Sequence, residues 1–150
     1  MGLHPMVVPL LHLVATAAMV GLIWFVQVVH YPLFRAVGDD RFVAYEADHQ
    51  RRTGFVVGPL MAAEGLCALW LVVDPPSGVG RPLPLVALGV LGVVHTSTVF
   101  LQVPLHGRLA VVTDPAERRR HIDRLVGLNW VRTVGWSARG VLAAALVVRV

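Results

Sequence analysis

The chain has 150 residues, a length that fits one domain. Apolar residues make up 56% of it and charged residues only 15%, against roughly 45–50% and 25% in an ordinary soluble domain. With a mean hydropathy of +0.68, this is more apolar surface than a soluble globule of the same length can bury, and Cys67 alone cannot make a disulfide scaffold; a soluble enzyme and a disordered tail are excluded as well. The net charge of +4 comes from thirteen arginines and no lysine, set between apolar runs rather than in a stripe with interleaved aromatics. Nucleic acid is therefore not an expected partner, and the lipid bilayer is.

Four stretches reach the roughly 20 apolar residues that cross a hydrocarbon core. They run from about 6–33, 54–73, 83–105 and 126–148, and together predict a single membrane domain over residues 1–150. The expected fold is all-α, an antiparallel four-helix bundle in lipid. The first span follows no basic residue and is longer than a signal-peptide core, so it reads as retained. Two connecting segments are rich in arginine, one with Arg35, Arg41, Arg51 and Arg52, the other with Arg108, Arg118, Arg119, Arg120 and Arg124. The positive-inside rule puts both in the cytoplasm and both termini outside. The first segment predicts an amphipathic helix over 39–52 capped by aspartate. The second predicts a helix capped by Asp114, with Pro115 at its first position and its basic face on anionic headgroups.

Ionisable groups inside a span need a partner or a function. Glu64, His95 and Arg139 lie near the middle of the second, third and fourth spans, which predicts a buried Glu64–Arg139 pair with His95 hydrogen-bonded to it. Helical spacing adds stripes: His95, Thr98, Gln102 and His106 on the third span, and Asn129, Arg132, Trp136 and Arg139 on the fourth. The first span contributes Gln27, His30 and Tyr31, followed by Pro32, and the second span contributes Thr53 and Glu64. These stripes cannot face lipid, so they predict a polar pocket near the cytoplasmic half, around His30, His49, His106, Asn129 and Arg132. His4, His12 and His121 read as having no role. Cys67 reads as a buried packing residue, and Trp24, Trp70 and Trp130 read as interfacial anchors or packing. Pro32, Pro59 and Pro104 are expected near helix ends or in first turns.

Glu46 and His49 form a Glu-x-x-His pair, the spacing that places a carboxylate and an imidazole on one helical face in diiron bundles. With His30 and His106 they make a possible ligand set for iron, copper or zinc. The competing reading puts Glu46 and His49 on a solvated face. Haem held by His30, His95 or His106 is a further alternative, without an attachment motif to support it.

The run Gln102-Val-Pro-Leu-His-Gly-Arg108-Leu-Ala, then Asp114-Pro115, then Asn129-Trp-Val-Arg132-Thr133 resembles the second half of the anthrone-oxygenase-like small four-helix membrane proteins. The His30-Tyr31-Pro32 and Gly58-Pro59-Leu-Met61 segments are similar in layout. The resemblance implies an oxygen-using membrane oxidoreductase acting on a lipophilic aromatic or quinone-like small molecule. It assigns no cofactor, and a protein-bound iron or copper centre is the alternative. Where the family pattern has His or Asn before Arg-Thr, this chain has Asn129, so the base falls to His106 or His30. The expected catalytic set is His106, His30, Arg132, Asn129, His95 and Glu64, with Arg132 stabilising an enolate or phenolate. The rival readings are a non-catalytic subunit or assembly factor of a larger membrane complex, and a small proton or solute carrier working as a homo-oligomer through Glu64, His95 and Arg139.

Overall fold

The computed structural model describes residues 6–150. Four long helices dominate it, α1 (Val7–Ala36), α2 (Phe42–Val73), α3 (Pro82–Leu109) and α4 (Pro115–Val148), and each is long and apolar enough to cross a membrane. No strand occurs among the described residues. Large apolar side chains such as Leu11, Val14, Phe25, Phe55, Leu66, Phe100 and Val141 point outward, while Gln27, Glu46, Glu64, Gln102, Asn129, Arg132 and Arg139 are buried. A soluble bundle has the opposite arrangement; here the outward apolar surface matches lipid and the polar groups turn to one another.

The helices run past the apolar stretches that announce them. The segment over 39–52 is not a separate interfacial helix: from Phe42 onward it is the first part of α2. The helix behind Asp114 is likewise continuous with the fourth span, so the links at the arginine-rich end shrink to residues 37–41 and 110–114. Asp114 caps α4 as expected, accepting from the Ala116 amide at 2.9 Å, with Pro115 following it. No aspartate caps α2. Its N-cap is Arg41, without a side-chain bond, because Asp39 is engaged instead by Arg118 of α4. Arg118 was expected to face headgroups; it is buried, paired with Asp39 and stacked 4.9 Å over the Phe42 ring. Arg35 reaches Asp123 at 2.5 Å and ties α1 to α4 at the same end.

Pro32 and Pro104 lie near the ends of α1 and α3, as expected, but within the helices. Pro32 and Pro104 each follow a five-residue π-helical turn, Val26–His30 in α1 and Thr98–Gln102 in α3. A proline lacks the N–H owed to the carbonyl four residues back and crowds it. Those carbonyls, on Val28 and Phe100, belong to the π-turns, whose wider winding absorbs the misfit. Pro59 lies within α2 without such a turn.

The core has three parts. Phe34, Phe42, Leu105, Leu109, Ile122 and Leu125 pack at the arginine-rich end. Met19, Ile23, Leu91, Val94 and Trp136 fill the middle, and Leu71, Val79 and Leu146 close the far end. Trp24, Trp70 and Trp130 stay half-exposed, Trp24 edge-on to Trp130 at 5.8 Å, and Cys67 is only partly buried. In the middle, α4 approaches α3 so closely at Gly135 that a Cβ there would collide with Val94. Gly135→Ala is therefore expected to destabilise the bundle by about 1–3 kcal/mol, measured by melting in detergent, and Val94→Ala in the same chain should restore most of the loss. Full stability of the single variant would show that α3 and α4 are free to part.

Candidate functional site

Two polar clusters occupy the bundle interior. The first, at mid-length, is the lock between α1, α2 and α4. Arg139 Nη2 donates to Glu64 Oε1 and lies 2.6 Å from His12 Nε2, which accepts. His12 Nε2 is also 3.3 Å from Glu64 Oε1. The Thr16 hydroxyl stands 3.3 Å from the same carboxylate oxygen and 2.8 Å from the His12 carbonyl. All four side chains are fully buried. The expected Glu64–Arg139 pair is present, but its histidine is His12, set aside on sequence grounds, and not His95. His95 hydrogen-bonds the Leu91 carbonyl one turn back at 3.1 Å and lies beside Trp136, with ring centroids 6.5 Å apart.

The second cluster lies toward the arginine-rich end. Its centre is His106 of α3, whose Nδ1 is 2.6 Å from Glu46 Oε1 and whose Nε2 is 2.8 Å from the Tyr31 hydroxyl. A carboxylate only accepts, so Glu46 fixes the proton on Nδ1 and leaves Nε2 to accept from Tyr31. Gln50, one turn after Glu46 on α2, donates to Glu46 Oε1 at 3.1 Å and to the His106 carbonyl at 3.0 Å, which ties carboxylate and imidazole together. Glu46 is fully buried; the solvated-face reading fails because α2 is continuous and turns this face inward. Neither Tyr31 nor Gln50 was singled out from the sequence as part of this relay. The Glu46, His49, Gln50, Thr53 spacing of three, one and three residues was the available signal.

Beside the relay stand His30 and His49, with His30 Nε2 2.9 Å from His49 Nδ1 and the Thr53 hydroxyl 3.1 Å from that same nitrogen. The His49 and His106 rings lie 5.2 Å apart. The four ligand-type residues His30, Glu46, His49 and His106 are thus gathered in one place. Their donor atoms, however, bond to each other in two pairs rather than converging. Among the described residues no group of three or more His, Cys, Asp or Glu is arranged to hold a metal ion.

On α4, Arg132 Nη1 donates to Asn129 Oδ1 at 3.2 Å. Asn129 in turn donates to Gln27 Oε1 at 2.9 Å, and Gln27 donates to the Val126 carbonyl at 3.2 Å. Asn129 is fully buried within this network, so its contact with the site runs through Arg132. His121 lies 3.5 Å from Glu117 one turn away; His4 lies outside the described residues.

Two hollows flank the relay. One of 290 Å³ is lined by the polar Tyr31, Gln50, Gln102, His106 and Arg132 with Thr53 and Thr98, together with Gly54, Val57, Gly58 and Val103. The other, of 380 Å³, lies between α1 and α2, where apolar Leu22, Phe25, Val26, Val56 and Val57 meet His30, His49, Asp48 and Arg52. The first brings a positive guanidinium, a phenol and an oriented imidazole to one space. That is the equipment for removing a proton from a bound molecule and stabilising the anion left behind. Glu64 and His95, expected in the same site, are not part of it. Arg139 alone stands two turns, about 10 Å of helix rise, from Arg132. The chain matches no protein-family model, and neither the curated proteins nor the solved structures searched contain a match to it.

Proposed function

We propose that this chain is a small membrane oxidoreductase that uses dioxygen on a lipophilic aromatic or quinone-like molecule held in the 290 Å³ hollow. The observation that carries the reading is the Glu46–His106–Tyr31 relay ending on a hollow that Arg132 also lines. In such a site His106, directly or through the Tyr31 hydroxyl, takes the proton of an acidic C–H or O–H. Arg132 then holds the enolate or phenolate in a low-dielectric surround. For a ring CH2 group, the carbanion bonds to dioxygen, the peroxide takes a proton, and loss of water leaves a carbonyl, so that one dioxygen is consumed and one water released per substrate. The likeness of residues 102–133 to the anthrone-oxygenase-like proteins supports the choice of oxidant.

The test is oxygen uptake by the purified full chain in detergent with anthrone as the substrate. One dioxygen consumed per ketone formed is the expected result. A rate no higher than that of empty micelles overturns the proposal. Elemental analysis of the same sample decides the cofactor: activity without metal assigns the chemistry to the side chains, whereas activity that tracks iron or copper content removes that assignment.

A further inference from the structure

Among the polar residues lining the hollow, Gln102 is the one whose side chain has no partner at either end. Its side chain is 1% exposed, and neither its amide nitrogen nor its carbonyl oxygen has a partner among the protein groups. A carboxamide with both ends unpaired is rare in a protein interior, because an unsatisfied buried amide costs about 1–3 kcal/mol. In the same lining, Arg132 Nε is likewise buried without a partner. Both residues line the hollow that holds Tyr31 and His106. Gln102 ends the π-turn Thr98–Gln102, one residue before α3 resumes α-helical winding.

The α2 residues lining the hollow include two glycines. Gly54 and Gly58, one turn apart on α2, are exposed, and a Cβ on either would meet nothing within 4 Å. Val103 of α3, also exposed, completes the rim. The hollow thus opens sideways between α2 and α3, on the apolar flank of the bundle, with two glycines keeping the mouth clear.

We infer that Gln102 and Arg132 Nε bind a ring oxygen of the ligand, and that Gly54 and Gly58 form the lateral mouth through which a flat ring enters. Gln102 is then the residue that selects oxygen-bearing rings over plain hydrocarbons of the same size. The carboxamide N–H and the guanidinium Nε–H donate to a carbonyl or phenolate oxygen, and the free carboxamide oxygen accepts from a neighbouring hydroxyl where the ring carries one. The inference rests on the proposed function for the identity of the hollow as a substrate site, but it concerns binding and not turnover.

The experiment is equilibrium dialysis of the full chain in detergent against 1,4-naphthoquinone and, separately, naphthalene, each corrected for empty micelles. The quinone is expected to bind at least about tenfold more tightly than the hydrocarbon. Gln102→Leu, which keeps the volume and removes the unpaired amide, should erase that preference while melting no lower than the parent. Gly58→Leu, on the exposed rim, should weaken both probes together by about tenfold or more. Equal affinity for the two probes, an unchanged preference in Gln102→Leu, or no binding of either probe overturns the inference. His106→Asn separates the two ideas. Binding with the quinone preference intact but no oxygen uptake in the parent or the variant leaves the inference standing and removes the oxygenase reading.

Discussion

His106→Ala is expected to lower turnover by about 10²- to 10⁴-fold, the range of a positioned general base, while the protein still inserts and runs as a single species. Arg132→Ala should fall in a similar range, since it removes the one cation facing the developing anion. Glu46→Gln is the more discriminating change. It preserves shape but allows the amide to donate to the imidazole, which favours the tautomer with its proton on Nε2, the nitrogen that must accept. Turnover should therefore drop although the hollow stays intact. Tyr31→Phe decides the last atom of the relay: a large loss makes the phenol the group that touches substrate, and retained activity makes it His106 Nε2. Full activity in both His106→Ala and Arg132→Ala would sink the proposed chemistry.

The second large effect belongs to the mid-length lock and reads out as stability. Glu64→Ala leaves Arg139 buried with no counter-charge, next to His12, and is expected to destabilise the fold by about 3–5 kcal/mol. Arg139→Ala should be comparable, because it strands a carboxylate instead. Replacing both together with leucine should be far milder than either alone, since the desolvation burden leaves with the pair. Melting temperature and the monodisperse fraction in detergent measure all three. Losses below about 1 kcal/mol for both single variants would mean that the cluster is not sealed from water.

The four helices were legible in composition because lipid demands long apolar runs, and nothing in a chain of this length competes with that signal. Their true extents were not. An amphipathic helix lying on a membrane and the protruding end of a spanning helix share one periodicity, so residues 42–53 carry no mark that tells them apart. Asp39 looked like a cap because aspartate is chemically suited to capping; a cation 79 residues along the chain claims it instead. The His106, Gln102 and Arg132 positions followed from stripe spacing, and the structure places them around one hollow. His95 fell out of that stripe for a geometric reason. The π-turn Thr98–Gln102 holds more residues per turn than an α-helix, so faces predicted with a period of 3.6 come apart on either side of it. His12 was missed because a lone histidine in an apolar run has no polar stripe. It does have a buried one: His12, Thr16, Met19, Ile23 and Gln27 follow at steps of four, three, four and four.

No hydrogen bond described here joins the Glu64–Arg139 lock to the Glu46–His106 relay, although α1 and α2 contribute to both. The consequence is latitude. A chain whose midsection is held by one set of residues can exchange side chains at its other end, at positions such as 54, 58 and 102, without renegotiating how its helices meet. Scaffolds of this kind diversify readily: a new ligand asks for a different rim and a different anchor, and the frame that carries them is already settled elsewhere.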